Sequence, residues 1–320
     1  MSPTVYVITT ILLACAQVIY LRLARYFRII DRPNERSSHT DFTTIRGGGV
    51  VFFMAELGAF WASGFTYPYF FLGLTLVTAI SFLDDLRPLA ARYRSMVQVV
   101  GMALLVYQTG VADQDVWIMA TWLLVGVGIL NVYNFMDGIN GITAWYSLVA
   151  VGTLWVWQWQ LRFLSTEVFL SFAFIALLLF SFVNARRRAI CFSGDVGSVS
   201  MAFIILLPLA QLIIVTQTYL PILLLAVYGT DTILTIIQRL YQRQNIFKAH
   251  RQHLFQLLVH RLQWPHLRVS ALYALTQLAI NGLVIRAVDW SAWAQWWLAG
   301  GIVIALVSVY VGLKWVYGNE

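Results

Sequence analysis

Eleven stretches of about 20 mostly apolar residues fill this 320-residue chain, and that is the length a helix needs to cross the hydrocarbon core of a bilayer. They run over roughly 4–23, 47–65, 67–83, 95–112, 115–132, 140–159, 166–184, 198–217, 219–238, 269–288 and 293–315. A break around Gly64 and Pro68 divides 47–83, and the polar, glycine-bearing stretch 131–141 divides 115–159. Only 11% of residues are charged and 60% are apolar, whereas a soluble domain carries about a quarter charged residues. A soluble globular protein and a disordered chain are therefore excluded. The pattern predicts one all-α, polytopic membrane domain over 1–320, with about eleven transmembrane helices.

The basic residues give this bundle a direction. Loops that follow odd-numbered spans hold Arg22, Arg25, Arg28, Arg32, Arg36 and Arg46, then Arg87, Arg92 and Arg94, then Arg186, Arg187 and Arg188. Further along the same side lie Arg239, Arg243, Lys248, Arg251, Arg261, Arg268 and Lys314. Of the 21 lysines and arginines, only Arg162 and Arg286 fall on the other side. Cytoplasmic loops collect Lys and Arg, so the N-terminus is expected outside and the C-terminus in the cytoplasm. The aromatic residues at 155–159 and 290–297 fit an outer interfacial belt. The net charge of +7 is thereby explained without nucleic acid. Cys15 and Cys191 are too far apart to read as a metal or disulfide framework.

The polar residues that need an explanation gather on the cytoplasmic side. Asp84 and Asp85 close the third span, and two adjacent carboxylates there suit a divalent cation or a phosphate-bearing substrate as well as a solvated helix end. Asn131, Asn134 and Asp137 are spaced by three, which keeps them near one helix face. Gly138 and Gly141 follow and permit a turn. Asp195 lies between Gly194 and Gly197 before the eighth span. That placement suits a helix cap, or an oxygen ligand beside free backbone N–H groups. His250 and His253 sit among Lys248 and Arg251 and read as a phosphate-binding surface rather than a zinc site. The first loop carries Asp31–His39 and then Arg46-Gly47-Gly48-Gly49, where basic side chains and pliable backbone can hold phosphates. Glu56 and Asp231 lie within spans, where acids are functional candidates by default.

These runs resemble a known family, the polyprenyl-phosphate N-acetylhexosamine-1-phosphate transferases, the superfamily of MraY and WecA. The matching residues are Asp84-Asp85 with Pro88, Asn131-Val-Tyr-Asn134-Phe-Met-Asp137-Gly138-Ile-Asn140-Gly141, Phe192-Ser-Gly194-Asp195-Val-Gly197-Ser198 and His250-Arg-Gln-His253. The first loop is similar to the branch that starts O-antigen or other surface polysaccharides. Of the several histidines many relatives carry, this chain keeps His253 at the first position, and Asn140 stands where some relatives have aspartate.

The resemblance implies transfer of a sugar-1-phosphate from a UDP-N-acetylhexosamine to undecaprenyl phosphate, releasing UMP, at the cytoplasmic face of the inner membrane. It implies Mg²⁺, for which Mn²⁺ can substitute, held by Asp195 with Asn134. Asp84, Asp85, Asp137 and His253 form the implied catalytic set, the first two holding or activating the lipid phosphate. Asn140, Phe192, Arg46, Arg94 and His250 are the implied substrate-binding residues, with Phe192 as a stacking face for uracil. Membrane lipid is a further partner, and a homodimer is open to such a chain. A transporter or flippase of a phosphorylated lipid is the competing reading. It would place its polar site near the midplane between repeats, and neither feature is visible in the sequence.

Overall fold

The structure is a computed structural model that describes residues 2–31, 44–111, 115–160, 166–245 and 250–317. The first-loop stretch 32–39 and Lys248 lie outside the described residues. Every predicted span is helical. The elements are α1 (Pro3–Tyr26), β1 (Ile30–Asp31), β2 (Thr44–Ile45), α2 (Val50–Ala62), α3 (Pro68–Leu86), α4 (Ala91–Gln108), α5 (Val116–Met136), α6 (Ile142–Gln160) and α7 (Glu167–Asn184). Then come α8 (Gly194–Thr216), a 3-10 turn (Leu220–Leu225), α9 (Ala226–Tyr241), α10 (Leu254–His260), α11 (His266–Ala287) and α12 (Ala292–Tyr317).

The protein is an all-α polytopic membrane protein. Among the described residues, eight helical segments are long and apolar enough to cross a bilayer: α1, α3, α5, α7, α8, the 3-10 turn with α9, α11 and α12. The other three predicted spans are also helical but fall short of that length or mean hydropathy. Helix α2 is apolar but has 13 residues, about 20 Å at 1.5 Å per residue. Helices α4 and α6 are long enough, but Arg92 and Arg94 open α4, and Gln158 and Gln160 close α6.

Helix α8 is the centre of the bundle. Its residues from Val196 to Ile213 are buried without a break, and α2, α3, α5 and α6 pack around it. Lipid tails are as apolar as leucine side chains, so close packing rather than water exclusion holds such helices together. The α2–α8 crossing shows this directly, because Gly49 meets Gly197 backbone to backbone. A Cβ on Gly49 would lie 2.3 Å from Gly197 Cα, and one on Gly197 would lie 2.8 Å from Gly49 Cα. Neither backbone can yield as a side chain would. Gly49→Ala should therefore cost about 1–3 kcal/mol or more and lower the unfolding midpoint in detergent, as read by a thermal fluorescence scan. An unchanged midpoint would show that α2 can shift freely.

The antiparallel pair β1–β2 was not expected from the sequence. Two-residue strands are too short to leave a periodic pattern. The pair matters because it carries the chain from α1 to the glycine run. Ile45 bridges to Cys191, Phe192 N–H donates to Ile45 O at 2.8 Å, and Gly48 and Gly49 N–H donate to Phe192 O and Ser193 O at 2.8 and 3.0 Å. The segment 45–49 is thus laid against the entry to α8.

Candidate active site

The C-terminal ends of α3, α5, α7 and α9 and the N-terminal ends of α4, α6, α8 and α11 meet at one end of the bundle, together with β1–β2 and α10. Asp84, Asp85, Arg94, Asn134, Asp137 and Asp195 all come from these ends, and Arg46 is delivered by the β2–α2 segment. The Tyr20 hydroxyl of α1 donates to the Arg46 carbonyl at 2.7 Å and fixes that delivery.

Two arginines stitch three carboxylates together. Arg46 Nε lies 2.7 Å from Asp85 Oδ1, and its Nη2 lies 3.3 Å from Asp195 Oδ1. Arg94 Nη1 lies 2.8 Å from Asp84 Oδ2 and 3.1 Å from Asp195 Oδ2. Asn134 Nδ2 also donates to Asp195 Oδ2 at 3.3 Å. Asp195 is therefore shared by both arginines. Both guanidinium groups stay about one-third exposed, so a ligand can reach them. Burial opposes the charge of Arg46, but the Asp85 and Asp195 carboxylates outweigh it and raise its pKa further.

The adjacent aspartates do different work. Asp84 Oδ1 accepts from Leu89 N–H at 2.6 Å and so fixes the turn into α4. Asp85, whose side chain is fully buried, accepts from the N–H groups of Asp195 at 2.9 Å and Val196 at 3.0 Å. Free N–H groups at a helix start need such acceptors, and Ser193 supplies no side-chain cap to α8. Asp85 caps α8 from another helix. Gly194 makes this contact: its φ is +72°, and a Cβ there would lie 2.5 Å from Asp85 Oδ2.

Asp137 is held separately. It accepts from Thr143 Oγ1 at 2.8 Å and from Ser193 Oγ. Burial pushes its carboxyl above the usual range, partly offset by those two hydroxyls. The folded state thus binds its proton more readily than the unfolded chain does, and holding the charge at neutral pH costs stability. Asp137→Asn should leave the unfolding midpoint at pH 7 unchanged or higher, while activity falls at least about a hundredfold, the low end of what a positioned acid–base group contributes. In the parent, the acid limb of the pH–rate profile should lie above the ordinary carboxylate range. A destabilised but active variant would show the carboxylate to be structural.

Other residues singled out in the sequence fall beside this cluster rather than within it. Asn131 bonds Gln98 and the Val127 carbonyl. Asn140 is buried, and its amide donates to the carbonyls of Arg186 and Arg187, fixing the α7–α8 loop. Phe192 is half-buried, with its backbone tied to Ile45 and Gly48. His250 lies against His253 with ring centroids 4.9 Å apart. His253 is buried at the start of α10. Glu56 is fully buried within α2, and neither carboxyl oxygen finds a hydrogen-bond partner among the described residues. Ser193, Thr143, Tyr20 and Leu89 complete the site, but no spacing marks them, because each acts through contacts between distant parts of the chain. Of the triple glycine, Gly48 and Gly49 spend their N–H groups on Phe192 and Ser193, so a phosphate here would meet Arg46 rather than those amides.

In donor type, the cluster suits a hard cation, since it offers carboxylate and amide oxygens. In charge it does so too, because three carboxylates face two guanidinium groups. Among the described residues no three acidic, histidine or cysteine side chains form a ready metal cage, since the arginines lie between the carboxylates.

Known proteins are similar to this chain over the stretch that carries most of the cluster. The model of glycosyl transferase family 4 matches residues 67–216, which include Asp84, Asp85, Asn134, Asp137 and Asp195. Over that stretch the chain is similar to glycosyl transferase family 4. It is 25% identical over 311 residues to a Bacillus subtilis (strain 168) protein named "Probable undecaprenyl-phosphate N-acetylglucosaminyl 1-phosphate transferase", covering 89% of this chain and 84% of that one. It is 25% identical over 263 residues to the undecaprenyl-phosphate alpha-N-acetylglucosaminyl 1-phosphate transferase of Yersinia pestis, covering 72% and 69%. It is also 27% identical over 195 residues to the phospho-N-acetylmuramoyl-pentapeptide-transferase of Shouchella clausii, covering 60% and 50%. The names of these relatives differ in the sugar.

Proposed function

We infer that this chain is a glycosyl transferase family 4 member that moves a sugar-1-phosphate from a UDP-N-acetylhexosamine to undecaprenyl phosphate and releases UMP, starting a lipid-linked surface glycan. The observation that carries this reading is the Asp84–Arg94–Asp195–Arg46–Asp85 cluster at one end of a membrane bundle. A lipid phosphate held at the bilayer surface and a soluble nucleotide sugar can meet only at such an end.

The chemistry is limited by repulsion between an anionic phosphate nucleophile and an anionic diphosphate. Arg46 and Arg94 can turn from their carboxylates toward the phosphoryl oxygens, where developing charge is best stabilised by preorganised donors. Asp195, with Asn134 and Asp84 beside it, would hold Mg²⁺, which when bound offsets the negative charge on the transferring phosphoryl group. Asp137, fixed by Ser193 and Thr143, is placed to orient the nucleotide. The lipid phosphate attacks directly, since a phosphate oxygen needs little activation at neutral pH.

The test is incubation of purified protein with labelled UDP-sugars and undecaprenyl phosphate, with and without Mg²⁺. UMP and a lipid diphosphate sugar are expected, and excess UMP should drive label back into UDP-sugar. Release of UDP would overturn the reading. The site is assigned to the cytoplasmic face of the inner membrane by the distribution of basic residues. Reporter tags at Arg187 and Gln244 should therefore read cytoplasmic and a tag at Gly64 external, and an external reading at Gln244 would remove the site from its nucleotide sugar.

A further inference from the structure

Asp231 lies inside α9, buried, five residues into the helix. Donors from three elements converge on its two oxygens. From α10 and its cap, Leu254 N–H donates to Oδ1 at 2.9 Å, Phe255 N–H donates to Oδ2 at 3.4 Å, and His253 Nδ1 lies 3.3 Å from Oδ1. From α11, the Tyr273 hydroxyl donates to Oδ2 at 2.6 Å, and from α9 itself Thr235 Oγ1 donates to Oδ1 at 3.3 Å. Backbone N–H groups can only donate, so the ionised carboxylate is the form this cage fits. An ionised carboxylate can only accept, so His253 Nδ1 must carry a proton.

The ring of His253 is also wedged. It stacks on Phe255 at 5.7 Å and lies 4.9 Å from His250 and 6.4 Å from Phe135. Phe135 is two residues from Asp137, and the Phe255 ring closes over Gly138, so the ring is held beside the stretch that carries Asp137.

We propose that Asp231 is the positioning residue of the site: from within the membrane bundle it caps α10 and fixes His253 with Nδ1–H turned inward, which leaves Nε2 as a lone pair able to take the proton of a singly ionised lipid phosphate. The part concerning substrate rests on the transferase reading above. The geometry follows the general rule that a histidine's working nitrogen is set by the hydrogen bond its other nitrogen makes. It also explains a charged group at a depth where charge is costly.

The experiment is long-range ¹H–¹⁵N correlation on histidine-labelled protein in nanodiscs, with His253→Gln to assign the signal, alongside steady-state kinetics. The parent should show His253 protonated at Nδ1. Asp231→Asn can still cap α10, because asparagine caps about as well as aspartate. It should release the ring to a mixture of tautomers and lower kcat by about 10–100-fold, the usual cost of losing such a supporting partner. Tyr273→Phe keeps the carboxylate and should keep the Nδ1–H signal, which guards against an Asp231→Asn protein that does not fold. An Nε2–H signal for His253 in the parent, or an Asp231→Asn protein with the parent signal, would overturn the proposal, as would loss of the signal in Tyr273→Phe. The spectra need no substrate. Failure of sugar-phosphate transfer would sink the functional reading and leave the tautomer standing, and the wrong tautomer in an active transferase would sink only Asp231.

Discussion

Asp195→Asn should give a folded, membrane-inserted protein whose transfer rate is at least about a hundredfold down. Asp195 is the carboxylate that both Arg46 and Arg94 share, and it is the member of the cluster with the most charge gathered around it. Removing one formal charge next to two cations and a diphosphate should cost about 3 kcal/mol or more of transition-state stabilisation, which is a factor of about a hundred in rate. The fold should survive, because the capping of α8 is done by Asp85 and not by the Asp195 side chain. The asparagine carbonyl can still accept from an arginine. Added Mg²⁺ should rescue little, since the loss lies in the ligand and not in occupancy. A variant with most of its activity would move the metal assignment to Asp84, Asp85 or Asp137.

Asp85→Ala should do the opposite to stability. The change leaves two N–H groups at the start of α8 without their acceptor and Arg46 without its 2.7 Å partner. Breaking a buried ion pair from one side costs about 3–5 kcal/mol, and each orphaned donor adds about 1–3 kcal/mol. The unfolding midpoint in detergent should fall sharply and activity should vanish. Asp85→Asn keeps one acceptor and should fall between. If Asp85→Ala melted like the parent and lost only activity, the carboxylate would be acting on substrate and not on α8.

These two outcomes mark where sequence reasoning stops. The bundle itself was legible, because a 20-residue apolar run leaves a lipid-solvated chain few folds other than a helix. The set of polar helix ends was legible too, since Asp84, Asn134, Asp137 and Asp195 all lie where charge has no reason to collect by chance. Their division of labour was not. Asp84 and Asp85 are neighbours in sequence, yet successive residues on a helix point about 100° apart, at 3.6 residues per turn. One therefore turns to α4 and the other to α8. Asn140 read as a recognition residue, but its amide is spent on the carbonyls of the α7–α8 loop. Asp231 stood out only as an acid in an apolar span. Apart from Thr235, four residues on, its partners lie 22 to 42 residues away, and nothing in a local pattern announces them.

The long-distance cap on α8 also sets an order of events during synthesis. The amide that Asp85 accepts from belongs to a residue 110 positions later. At ribosomal rates of about 5–20 residues per second, Asp85 waits on the order of ten seconds for that partner. During that time α2, α3, α5 and α6 can be in the bilayer, but the helix they enclose has not been made. A nascent chain halted before α8 therefore has its first two aspartates and both arginines and still no assembled cluster. Until α8 arrives, Arg46 and Arg94 lack the carboxylate they share, and the helices that will enclose α8 have nothing between them to pack on.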